Sequence, residues 1–85
     1  MNIRVFGKVQ GVWYRKSVKE VADSLGVNGM VMNEPDGSVF IVAQSDEGAL
    51  EKFIAYCRIG PEHANVLNLH IEEENHKDLN GFRIL

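Results

Sequence analysis

Residues Gly7 to Arg15 read Gly-Lys-Val-Gln-Gly-Val-Trp-Tyr-Arg and carry the strongest chemical signal in this chain. The stretch begins as a strand, breaks at Gly11 and resumes as a helix with Arg15 near its first turn. Such a turn leaves several main-chain N–H groups without partners and able to converge on one point. The helix start adds partial positive charge there, and Arg15 adds a full one. The chemistry that suits this combination is the gripping of a phosphoryl group. The main-chain amides of Val9, Gln10, Gly11, Val12, Trp13 and Tyr14 are the expected cradle. No Gly-Lys-Ser/Thr closes the loop, so it is not a Walker P-loop, and its glycine spacing is not Gly-x-Gly-x-x-Gly.

Composition narrows the classes that can use such a loop. The chain has 85 residues, enough for one domain spanning 1–85. Its net charge of −3 argues against a nucleic-acid partner, whose footprint is a basic face. The longest apolar run, Val39 to Ala43, falls far short of the roughly 20 residues that span a bilayer. Met1-Asn2-Ile3-Arg4 opens no apolar run of signal-peptide length. Cys57 has no cysteine partner, which fits a reducing compartment. A soluble cytoplasmic protein is expected, with no membrane partner, and most simply a monomer.

Periodicity supplies the elements that must position the loop. Residues 2–10 form a first strand, with Ile3, Val5 and Val9 on one face and Arg4, Phe6 and Lys8 on the other. Val18, Val21, Ala22 and Leu25 make one stripe of a helix over 14–25, and Gly26 stops it. Residues 28–34 and 38–44 pair as a hairpin about Pro35-Asp36-Gly37. Asp46 is placed to cap a second helix over 47–58, with Leu50, Phe53, Ile54 and Cys57 as its buried stripe. Residues 64–72 alternate with Leu67, Leu69 and Ile71 inward, and 81–85 form a short last strand. This order predicts an α+β fold, the ferredoxin-like split βαβ sandwich. It has an antiparallel sheet with two helices on one face.

With that frame in place, residues 7–15 resemble the acylphosphatase pattern G-x-V-Q-G-V-x-[FY]-R at Gly7, Val9, Gln10, Gly11, Val12, Tyr14 and Arg15. The likeness continues through Gly26-Val27, Gly29, Val31, Asn33, Asp36-Gly37 and Val39, then Gly60-Pro61, Gly81-Phe82 and Ile84. The resemblance implies hydrolysis of small-molecule acyl phosphates, with Arg15 binding the phosphate and Asn33 orienting the attacking water. It also implies that no metal and no organic cofactor take part. The chain departs from the family's usual residues at Val18, at Met30 and at Trp13 inside the loop.

Blander roles fit the remaining candidates. Cys57, on an apolar stripe, reads as a buried structural thiol rather than a nucleophile. His63, His70 and His76 have no metal-site spacing. Lys8 reads as a solvated strand lysine, and Trp13 either lines the cradle or packs under it, with packing preferred. Two other functions share the element order. A noncatalytic phosphate-binding regulatory module would bind without turnover. An RNA-binding sheet could use Phe6 and Phe40, but the aromatic signature and basic surface it needs are missing.

Overall fold

The computed structural model describes residues 1–85. The elements run β1 (Asn2–Lys8), α1 (Tyr14–Leu25), β2 (Asn28–Asn33), β3 (Val39–Gln44), α2 (Glu47–Ile59), β4 (Asn65–Glu72) and β5 (Phe82–Ile84). The strands lie in the order β4-β1-β3-β2-β5. Each βαβ unit is split by a strand of the other: β3 separates β1 from β2, and β1 separates β3 from β4. Both helices bury their apolar stripes against the sheet, through Val18 and Ala22 of α1 and Phe53 and Cys57 of α2. They meet Ile3, Val5, Val31, Ile41 and Ala43, all fully buried. Phe53 and Phe82 close the core edge to face, with ring centroids 5.8 Å apart.

The helix ends follow the local chemistry. Asp46 caps α2 by accepting from the Ala49 amide at 2.8 Å. Gly26 ends α1, and the Val27 amide that follows reaches back to the Ala22 carbonyl at 2.9 Å. The turn between β2 and β3 is held by Asp36, whose carboxylate accepts from the Ser38 amide at 2.9 Å and the Ser38 hydroxyl at 2.5 Å.

Three expectations need correcting. The sheet is mixed, not antiparallel, because β5 pairs with β2 in parallel, Val31 opposite Ile84. The chain leaves β4 at one edge and crosses to the opposite edge along residues 73–81. Gln44 fastens this crossing, accepting from the Leu79 amide at 2.7 Å, and Asn28 accepts from the Gly81 amide at 3.0 Å. Second, β1 ends at Lys8, so Val9 and Gln10 belong to the loop. Third, Leu67 points outward and is 74 % exposed. A bulge explains it: Phe6 pairs with Asn68 but Gly7 pairs with Val66, so Leu67 is the extra residue and the alternation slips. Val66 takes the inward place instead. Gly7 permits this, since a Cβ there would lie 2.1 Å from the Asn65 carbonyl oxygen.

Two buried ionisable groups join the helices. The Tyr14 hydroxyl donates to the Cys57 carbonyl at 2.7 Å. Burial pushes the Cys57 thiol up to about 12 from an ordinary 9.0. Burial also raises the Tyr14 phenol, with the neighbouring Cys57 adding to it. Both folded values lie above the unfolded ones. The stability tied to keeping these groups neutral is therefore complete below the unfolded value and is lost as pH rises toward the folded one. The urea midpoint should fall as pH rises from 9.0 to about 12, and the thiol should resist disulfide reagents at pH 8 until the chain unfolds. A folded protein that reacts within the mixing time would show that Cys57 is not buried as described.

Candidate active site

The site stands where β1, β2 and β5 all end at one side of the sheet. β1 and β2 both run antiparallel to the strand between them, so their carboxyl ends share that side, and β5 runs parallel to β2. Leaving β1, the chain must turn sharply to start α1. Gly11 takes φ of 73° and Trp13 takes φ of 66°, the left-handed conformation at both. Glycine adopts it freely; tryptophan does so at a cost in strain.

Local geometry leaves the loop's main-chain amides without acceptors. None of the N–H groups of Val9, Gln10, Gly11, Val12 or Trp13 donates to a main-chain or side-chain oxygen. Within α1 the first hydrogen bond runs from the Ser17 amide to the Trp13 carbonyl, 3.0 Å. The amides of Tyr14, Arg15 and Lys16 are therefore the open first turn of the helix. α1 has no side-chain cap and no acidic residue in its first turn, whereas α2 has both. The positive end of α1 is thus left bare.

A cavity of about 380 Å³ opens at this point. Val9, Gly11, Trp13, Tyr14, Arg15, Lys16, Asn33 and Ile84 line it. Arg15 and Asn33, distant in sequence, are brought to one cavity as expected. Gln10 and Val12 do not line it. Val12 is buried in the core, and the Gln10 side chain turns toward the hairpin. Tyr14 contributes at its main chain while its ring is buried and its hydroxyl is tied to α2.

Three features escaped the sequence. One Arg15 guanidinium nitrogen donates to the Leu85 main-chain oxygen at 3.1 Å, which fixes the side chain and leaves its other N–H groups open. The Gln10 amide nitrogen donates to the carbonyls of Glu34 and Ser38, both at 2.8 Å. Since Glu34 follows Asn33, this side chain ties the loop to the strand end that carries Asn33. Trp13 does not pack under the loop; it is 72 % exposed at the cavity's rim. The one sequence signal for these was the departure at Trp13. The other two depend on contacts across the whole chain.

Asn33 has an unusual acceptor. Its Oδ1 is buried and has no hydrogen-bond partner. A buried polar oxygen without a partner is costly in a fold. No three His, Cys, Asp or Glu side chains are grouped so as to hold a metal ion. No helix is long and apolar enough to cross a membrane.

Residues 1–84 match the acylphosphatase family. An acylphosphatase of Thermotoga petrophila is 48% identical over 84 residues, 99% of this chain and 93% of that protein. The crystal structure of the Bacillus subtilis acylphosphatase superposes with a TM-score of 0.94 at 33% identity, covering 99% of this chain and 94% of that one. The structure of an acylphosphatase from Coxiella burnetii gives the same TM-score of 0.94 at 34% identity, covering 99% and 88%. The chain belongs to the acylphosphatase family.

The Gln10 bridge can be tested alone. Gln10→Leu removes both donors and should lower the unfolding free energy by about 1–3 kcal/mol. Hydrogen exchange at the amides of residues 9–13 should accelerate with it. Loop exchange as slow as in the wild type would show that the bridge does not hold the loop.

Proposed function

We propose that this cavity hydrolyses the carboxyl–phosphate bond of acyl phosphates, with Arg15 and the loop amides gripping the phosphoryl group and Asn33 placing the water. The observation that carries this is that Val9, Gly11, Trp13, Tyr14 and Lys16, whose amides have no acceptor, line one cavity with Arg15. Family membership and the names of the relatives support the same activity.

The reaction asks for little more than these groups. Water attacks phosphorus, and the bond to the acyl oxygen breaks with its electron pair leaving on a carboxylate. The conjugate acid of that leaving group has a pKa of about 4, so it departs without a proton. Phosphoryl transfer passes through a loose transition state whose negative charge is spread over the phosphoryl oxygens. A strong general base is therefore not needed. What lowers the barrier is fixed positive charge aimed at those oxygens, about 2.7–4 kcal/mol for each preorganised donor.

Each residue has a part in that scheme. The guanidinium of Arg15 supplies a planar pair of donors that one ammonium cannot match. Its bond to the Leu85 oxygen holds it before substrate arrives. The open amides surround the phosphoryl oxygens at the bare end of α1, where helix and loop dipoles add. The carboxamide of Asn33, at the same cavity, can both donate to and accept from a water and so set its lone pair toward phosphorus. Every group named sits on one chain, so we take the protein to act as a single domain and a monomer. It needs no nucleic acid, metal or organic cofactor.

Arg15→Lys should keep its fold by circular dichroism and lose about 10²–10³-fold in kcat with benzoyl phosphate. Near-normal turnover in that variant would exclude Arg15 from the chemistry. Asn33→Ala should lose turnover to a similar degree while inhibition by inorganic phosphate shifts by less than about threefold. A large loss of phosphate affinity would instead make Asn33 a direct ligand of the anion. Excess chelator should leave the wild-type rate unchanged; inhibition by it would bring a metal into the mechanism.

A further inference from the structure

The phosphoryl half of the substrate is accounted for by amides and Arg15, which leaves the acyl half. Trp13 is the residue that the cavity offers to it. Two oddities meet there. Its backbone is held at φ of 66°, a conformation that a bulky side chain adopts only at a cost. Its indole is also 72 % exposed, the most exposed aromatic surface of the chain. Strained backbone and uncovered aromatic surface at the rim of a site are a pairing found where a side chain waits for a ligand.

The surroundings give the indole a direction. The Lys16 ammonium lies 5.5 Å from the ring centroid, a cation–π contact that occupies one face and limits how the ring turns. A second, shallower depression of about 280 Å³ adjoins the first, lined by Trp13, Lys16, Ser17 and Glu20. Trp13 and Lys16 therefore stand between the two spaces and line both. Apolar surface of Ile84, 40 % exposed, borders the same opening. The indole thus shares one cavity with the groups that would hold the phosphoryl, within reach of what is attached to it.

We infer that Trp13 is a specificity-determining residue, an aromatic platform that selects acyl phosphates with a flat, apolar acyl group over those with a short alkyl one. This rests on the acyl phosphate reading given above. Stacking an aryl ring on an indole adds to the gain from burying apolar area. A methyl group offers neither the ring face nor the area. The indole acts by binding and takes no part in bond breaking.

Two measurements test it, and Trp13, the only tryptophan of the chain, serves both. In the first, benzylphosphonate and methylphosphonate are titrated against intrinsic fluorescence. Saturable quenching of Trp13 emission is expected with the benzyl compound and not with the methyl one. In the second, the ratio of kcat/KM for benzoyl phosphate to that for acetyl phosphate is compared across variants. Trp13→Ala should lower this ratio about tenfold, and Trp13→Phe should recover most of it. Trp13→Gly, which relieves the backbone strain, should lower it as Trp13→Ala does and so separates the ring from the loop. An unchanged ratio in the alanine and glycine variants, or emission blind to benzylphosphonate, would overturn the inference alone. A wild-type protein that hydrolyses neither substrate would overturn the acyl phosphate reading and this inference together.

Discussion

A helix that starts without a cap is the constraint on which this structure turns. Tyr14, Arg15 and Lys16 begin α1 with open amides, and the five residues before them donate to no protein oxygen either. The other helix shows that the chain can cap one well, with Asp46 at its start and Glu47 in its first turn. Leaving the same positions of α1 without a carboxylate keeps a concentrated positive end facing a cavity. In a protein of net charge −3 that local field is built from backbone and two side chains, Arg15 and Lys16, rather than from a basic surface.

The fold exists around that end as a holder. The split βαβ order brings β1 and β2 out on the same side with β3 between them, so the loop and Asn33 arrive together. The β5 strand beside β2 adds Ile84 to the lining and the Leu85 oxygen to Arg15. Gln10 then ties loop to hairpin, and Tyr14 ties the helix start to α2. The acyl phosphate chemistry needs fixed donors more than it needs proton transfer, and fixed donors are what this network supplies.

Much of this was legible in the residues. Both helix stripes, the Asp46 cap, the Gly26 stop and the Pro35-Asp36-Gly37 turn depend on neighbours within a few positions, and all took the expected form. So did the placing of Arg15 and Asn33 at one cavity. What was not legible depends on distant partners. The parallel pairing of β5 is set by where the 73–81 crossing lands, which periodicity does not encode. Leu67 alternates faultlessly in sequence, yet one extra residue opposite Gly7 turns it outward. Of the two places open to Trp13, lining the cradle or packing under it, packing is preferred from sequence; the ring lies exposed at the rim, on a left-handed backbone that residue types alone do not announce.

The measurement closest to the central claim is a phosphate titration followed by nitrogen–proton correlation spectroscopy. The amides of residues 9–16 should shift together and saturably, with a shift at the Arg15 side-chain N–H on the same curve, while the amides at the start of α2 stay in place. Phosphate that leaves the amides of 9–16 unmoved, or that moves those of α2 equally, would contradict the site described.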